Sequence, residues 1–194
     1  MKTTFILATT GKSIARAEKN GSGEWFVSAP LPEVDVRCLA GDPLDQRKVY
    51  AGTQGDGVLC SNDFGGTWQP AGLSGHVVKS LAVSPHEAGT IFAGVKPAGM
   101  HVSRDGGQTW SRHHKRALRD NHWLTFHHTN GDWVYQAGGT GGGASYSQDA
   151  GKTWQSRNWH RGDRQSRSAA ARCDPDGYPD AGCQRHPGHP PDCW

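Results

Sequence analysis

Three eight-residue segments constrain this chain more than any other feature: Ser61-Asn-Asp63-Phe-Gly65-Gly-Thr67-Trp68, Ser103-Arg-Asp105-Gly-Gly107-Gln-Thr109-Trp110 and Ser147-Gln-Asp149-Ala-Gly151-Lys-Thr153-Trp154. Each reads S-x-D-x-G-x-T-W, and their starts lie 42 and 44 residues apart. Counting back 43 residues from Ser61 reaches Glu18-Lys-Asn20-Gly-Ser22-Gly-Glu24-Trp25, which reads as a degenerate copy that keeps the Trp. The flanks repeat as well. Val49-Tyr50-Ala51-Gly52-Thr53 matches Ile91-Phe92-Ala93-Gly94-Val95, with Ile6-Leu7-Ala8-Thr9-Thr10 one period earlier. Arg37-Cys38-Leu39-Ala40 matches Lys79-Ser80-Leu81-Ala82, and a Pro turn follows each. One period therefore holds four short strand patterns, A to D, which in the second unit span about 36–40, 48–53, 57–61 and 67–70. Four antiparallel strands per 40–45 residues is the signature of a β-propeller blade. The expected fold is all-β: an incomplete propeller of about four four-stranded antiparallel blades over residues 1–156.

The box has a mechanical reading as the turn between strands C and D. Ser and Asp side chains accept hydrogen bonds from turn amides, Gly supplies a positive φ, and the Trp opens strand D and buries its ring. One Asp per blade cannot converge on a single ion or bond, so Asp63, Asp105 and Asp149 are expected to be structural rather than metal-binding or catalytic. Trp68, Trp110 and Trp154 are expected in the blade cores. Cys38 and Cys60 fall on strands A and C of one blade, about 9–10 Å apart across strand B, which is too far for a disulfide.

On these boxes the chain resembles the Asp-box (BNR-repeat) family of propellers, which includes bacterial sialidase-like proteins, sortilin-type receptors, some glucan hydrolases and a photosystem II assembly factor. The stretch from Ala117-Leu118-Arg119-Asp120 through Gly138–Gly143 to the last box is similar to bacterial BNR-repeat proteins described as glycosyl hydrolases. The likeness covers about residues 3–156. It implies the fold and leaves the activity open, because the boxes are shared scaffold.

Alternating strand direction places the B–C loops and the D–A links on the face opposite the boxes, around the mouth of the channel. The link 111–121 carries Arg112, His113, His114, Lys115, Arg116 and Arg119, and His122 follows on strand A. Arg112, His114, Lys115, Arg116, Arg119 and His122 are thus the candidate ligand-binding residues, suited to a carboxylated sugar or a phosphate; a solvated loop is the competing reading. By strict alternation His122 and His128 share a face with Leu124 and Phe126, while His127 points away, so no shared metal is expected. No cofactor is expected either.

Sialidase chemistry lacks its marks. There is no Arg-Ile-Pro, the ordered part holds only Glu18, Glu24, Glu33 and Glu87, and nothing pairs Asp56, Asp120 or Asp132. No catalytic residue is assigned. A net charge of +3, with bases and acids interspersed, lacks the footprint of a nucleic-acid binder. No apolar run is long enough for a membrane helix, and Phe5–Ala8 is too short for a signal-peptide core, so a cytoplasmic location is expected.

From Gln155 onward there is no Val, Ile, Leu, Phe or Met. Residues 157–194 are expected to be a disordered or non-native tail, from a slipped reading frame, a truncated gene or natural disorder. Cys183, His186, His189 and Cys193 have zinc-like content in no common finger spacing. Two functions stay open: a non-catalytic binding or scaffold propeller (or a fragment of one) for a carbohydrate or protein ligand, and a carbohydrate-active hydrolase whose catalytic blades are missing. Open blade edges are expected to favour self-association.

Overall fold

The computed structural model describes residues 4–97, 99–113, 121–138, 143–157, 171–173 and 179–183. Every regular element in them is a strand. The chain divides into two compact units, Met1–Trp159 and His160–Trp194. Of the second unit, the described residues form one hairpin; the remainder of the 157–194 segment lies outside the described residues.

The first unit is a series of antiparallel sheets in chain order. Sheet 1 holds β1 (Thr4–Thr9), β2 (Ile14–Lys19) and β3 (Trp25–Ser28). Sheet 2 holds β4 (Val36–Gly41), β5 (Val49–Thr53), β6 (Val58–Ser61) and β7 (Gln69–Pro70). Sheet 3 holds β8 (Val77–Val83), β9 (Ile91–Lys96), β10 (Met100–Ser103) and β11 (Ser111–His113). Sheet 4 holds β12 (Asn121–Phe126), β13 (Val134–Gly138), β14 (Ala144–Ser147) and β15 (Gln155–Arg157). The hairpin of the second unit is β16 (Ala171–Cys173) with β17 (Pro179–Cys183). Each four-stranded sheet is a meander that runs from A to D, as the repeat requires. Sheet 1 begins at the strand equivalent to B, so its inner position is unfilled among the described residues, and the propeller is incomplete.

Short β-branched and aromatic strands bury both faces only when sheets stack, and here each sheet packs on the next. Ile14 and Leu7 of sheet 1 meet Val36, Ala51, Leu59 and Trp68 of sheet 2. Tyr50, Val58 and Cys60 of sheet 2 meet Leu81, Ile91, Ala93 and Trp110 of sheet 3. Phe92, Met100 and Val102 of sheet 3 meet Leu124, Phe126 and Trp154 of sheet 4. The alternation of each strand thus splits into a forward face toward the next blade and a rear face toward the previous one.

Each innermost strand carries one irregularity in the same place. The register slips between Val36 and Cys38, between Val78 and Ser80, and between Asn121 and Trp123. A bulge therefore lifts Arg37, Lys79 and His122 out of the ladder. It also corrects the alternation read from sequence: His122 is exposed, whereas Leu124 is buried against sheet 3. His127 and His128 lie past the end of β12, where their rings stack 4.8 Å apart and His127 Nδ1 accepts the Thr129 and Asn130 amides.

Sheet 4 departs from its siblings inside the core. Where sheets 2 and 3 have Val36 with Ala51 and Val78 with Ala93, sheet 4 has Asn121 with Gln136. Asn121 Nδ2 donates to Gln136 Oε1 at 2.7 Å, and both residues are buried. Asn121 Oδ1 and Gln136 Nε2 have no partner among the described residues. A half-satisfied buried pair costs more than an apolar one. Asn121→Val/Gln136→Ala, which copies sheet 3, is therefore expected to raise stability by about 1–2 kcal/mol, whereas Asn121→Val alone lowers it by about 1–3 kcal/mol. Urea unfolding of the two variants checks the opposite signs.

Candidate functional site

The three boxes are near-superimposable hydrogen-bonded turns between strands C and D. Ser61 Oγ accepts the Gly65 amide at 2.8 Å and donates to Asp63 Oδ1 at 2.7 Å. Asp63 in turn accepts the Thr67 amide and hydroxyl, each at 2.8 Å. Ser103, Asp105, Gly107 and Thr109 repeat this set, as do Ser147, Asp149, Gly151 and Thr153. Trp68, Trp110 and Trp154 each donate Nε1 to the box glycine carbonyl at 3.1 Å. Each Trp precedes strand D rather than opening it, and its ring is half-buried rather than fully in the core, because one edge must stay in the turn to make that bond.

Each box is also clipped to its surroundings through its fourth residue. The amides of Phe64, Gly106 and Ala150 donate to the carbonyls of Arg47, Gly89 and Asp132 in the A–B turn of the same blade, at 2.8–3.0 Å. The preceding blade reaches the fourth-residue carbonyl: Arg16 Nε donates to Phe64 O, and the Tyr50 hydroxyl to Gly106 O. The glycine that follows packs flat on that blade. A Cβ on Gly65 would lie 2.8 Å from Leu7, and one on Gly151 would lie 2.5 Å from Phe92. The segment 18–25 does not share this build. β2 and β3 pair up to Lys19↔Trp25, and the Asn20 side chain caps a tighter hairpin, so Trp25 is an exposed strand residue. With no Ser–Asp–Gly set to close the longer turn, keeping the Trp alone does not make a box.

The boxes hold their carboxyls well below the usual range. The Thr67 amide and then the Ser61 hydroxyl bring Asp63 down to about 2, and the Thr109 hydroxyl and amide do the same for Asp105. At Asp149 burial pushes upward, but the bonds from Thr153 and Ser147 outweigh it and leave it at about 2. The three carboxylates are thus spent on their own turns and lie a blade apart.

The opposite face holds a cavity of about 270 Å³ whose described lining is Arg37, Gln54, Lys79 and His122. Three of these are the bulged residues of β4, β8 and β12, and Gln54 lies on a B–C loop. Lys79 Nζ and His122 Nε2 are 3.2 Å apart, and Arg37 pairs with Asp35 at 2.9 Å. Of the two sequence candidates that are described, His122 lines this cavity and Arg112 does not. Arg112 is an exposed residue of β11, paired with His101 on the outer side of sheet 3, which shortens the presumed 111–121 link. His114, Lys115, Arg116 and Arg119 lie outside the described residues, as do the tail residues Cys193, His186 and His189. Arg37 and Lys79 were missed, although they occupy one aligned position of the repeat together with His122.

A family model described as Sortilin, neurotensin receptor 3 (Sortilin-Vps10) matches residues 56–171, more than half of the chain. No curated protein matches the sequence. Among solved structures the chain is similar to an ancestral GH74 enzyme (TM-score 0.64, 19% identity, 81% of this chain and 23% of that one). It is also similar to a chain of a nidogen/laminin complex (0.60, 16%, 83% and 64%) and to YCF48 bound to D1 peptide (0.50, 19%, 62% and 38%). These likenesses show the propeller fold. The chain spans from about a quarter to about two thirds of the length of these structures.

Two predictions follow from the box geometry. Gly151→Ala places a Cβ against Phe92 at φ 81° and is expected to cost about 2–4 kcal/mol, whereas Ala150→Gly, at φ 54°, relieves a left-handed Cβ and gains up to about 1 kcal/mol. Urea midpoints of these neighbouring variants should move in opposite directions. The depressed carboxyls set the acid limb. Their stabilisation is complete above the unfolded value of about 4 and is lost as the pH falls through about 2. The thermal midpoint should drop between pH 4 and 2, and Asp105→Asn should lower it at pH 7 while flattening that drop.

Proposed function

The chain belongs to the Sortilin-Vps10 family, and from that premise we propose that it is an Asp-box propeller with a binding role, taking an anionic group of a peptide or protein partner in the channel-face cavity. One observation carries this reading: the same bulge on three successive inner strands sends Arg37, Lys79 and His122 into one cavity. An incoming carboxylate or phosphate can accept charge-assisted hydrogen bonds from the Arg37 guanidinium and the Lys79 ammonium. Gln54 adds an amide that can donate or accept. Asp35 keeps Arg37 partly neutralised and oriented until a stronger anion arrives. Two structural neighbours support a protein or peptide as the carrier, one solved with a bound peptide and one in a protein complex.

The hydrolase reading draws on the GH74 neighbours. A glycosidase of the usual kind needs two carboxyls flanking the bond, about 5–10 Å apart. The described lining of this cavity supplies cations instead, and the box carboxylates are committed to their turns.

Fluorescence anisotropy with a labelled Asp/Glu-rich peptide tests the proposal. Arg37→Gln and Lys79→Gln are each expected to weaken binding about tenfold, with the wild-type affinity falling as salt is raised. Equal affinity in the wild type and the Arg37→Gln/Lys79→Gln variant would overturn it.

A further inference from the structure

The two end sheets of the first unit, sheets 1 and 4, both carry exposed apolar side chains. Six large apolar side chains are exposed among the described residues, and five of them lie on the end sheets: Ile6, Trp25, Phe26 and Val27 on sheet 1, and Trp123 on sheet 4. The register says which way they face. Ile6, Ala17 and Val27 form one cross-strand row, on the face opposite Leu7 and Arg16, which address sheet 2. This row is the rear face of sheet 1. On sheet 4, Thr125, Tyr135 and Tyr146 form a row, and Trp123 shares its face with Ala137 and Ala144. The opposite face, with Leu124 and Phe126, packs on sheet 3. The Trp123 row is therefore the forward face of sheet 4.

The forward faces of the other sheets show what such a face receives. Leu7, Tyr50, Phe92 and Tyr135 hold one repeat position. Leu7 and Phe92 lie under the box glycine of the following blade, and the Tyr50 hydroxyl meets the following box through Gly106. Tyr50 and Phe92 are 1% and 0% exposed. Tyr135 is only half-buried, and it sits among other rings: Trp133 lies 6.0 Å from it and stacks on Tyr146 at 6.0 Å. Among the described residues of the first unit, no further sheet covers this face.

We propose that a second copy of this chain covers it, with the aromatic forward face of sheet 4 docking on the aliphatic rear face of sheet 1 in the other copy. The argument is continuity with an interface the molecule already makes three times. Every blade junction joins one forward face to one rear face, and the described residues of the first unit leave one of each exposed. A forward face does not match another forward face, so the contact is heterologous, and it either closes into a ring or extends head to tail. Exposed apolar faces of this kind supply the driving force. Because sheet 1 has no box, the docked junction lacks the glycine contact and rests on Trp25, Val27 and Ile6 meeting the aromatic row.

Sedimentation velocity of the full chain over a range of concentrations tests this. The wild type is expected to populate dimers or longer head-to-tail species at micromolar concentrations. Trp123→Glu and Val27→Glu alter opposite faces at exposed positions, and each alone should weaken association at least tenfold. Mixed in equal amounts the two variants should associate again, because each supplies the face the other has lost. If either variant loses its far-ultraviolet β-sheet signature, the milder Trp123→Ser and Ile6→Ser take its place. A monomeric wild type, or variants that dissociate separately and stay apart when mixed, would overturn the proposal.

Discussion

The structure depends on one hydrogen-bonded constellation, the serine hydroxyl that takes a glycine amide while giving its proton to the aspartate two residues on. That bond fixes a turn whose fourth and fifth residues are both left-handed. It leaves the fourth residue's amide and carbonyl pointing outward, one to the A–B turn of its own blade and the other toward the blade before. Short strands of two to seven residues have little cohesion of their own. The turn locks sheets 2, 3 and 4 at their outer ends and lays its glycine on the preceding sheet, so strand pairing and sheet stacking are set by the same few atoms.

The boxes occupy one face of the sheets, and the cavity lies on the other. With the carboxylates held by their own threonines, the acidic groups that recur most regularly are unavailable for chemistry. The basic groups on the inner strands are the ones that converge. Their convergence comes from a bulge repeated in three blades, a device that re-aims a side chain at the expense of one ladder position. The division is consistent: box ends hold the blades together, and bulged ends bring basic side chains to one cavity.

The fold was legible because its signals are local. Turn chemistry and the two-residue period lie within each repeat, and the strands of sheet 2 fall within a residue or two of where the pattern puts them. The degenerate segment at 18–25 shows the limit, since a retained Trp is not enough without the Ser, Asp and Gly that build the turn. The site was less legible. Charge density drew attention to the 111–121 segment, yet Arg112 lies on an outer strand, and of the described candidates it is His122, just past that segment, that reaches the cavity. Arg37 and Lys79 look like ordinary exposed strand residues until the repeat is aligned, and a bulge cannot be read from alternation because it is what breaks alternation. The Asn121–Gln136 pair was equally hidden, as each residue alone looks like a surface position.

Amide hydrogen exchange at Thr67, Thr109 and Thr153 tests the central claim most directly. These residues are exposed, so in an ordinary surface loop their amides would exchange at nearly free rates. Because each donates to a carboxylate clamped by its serine, all three are predicted to be protected as strongly as the strand amides of their own blades and to exchange together with them. Rapid exchange at these three positions, with the neighbouring strands still protected, would contradict the view that the boxes hold the blades.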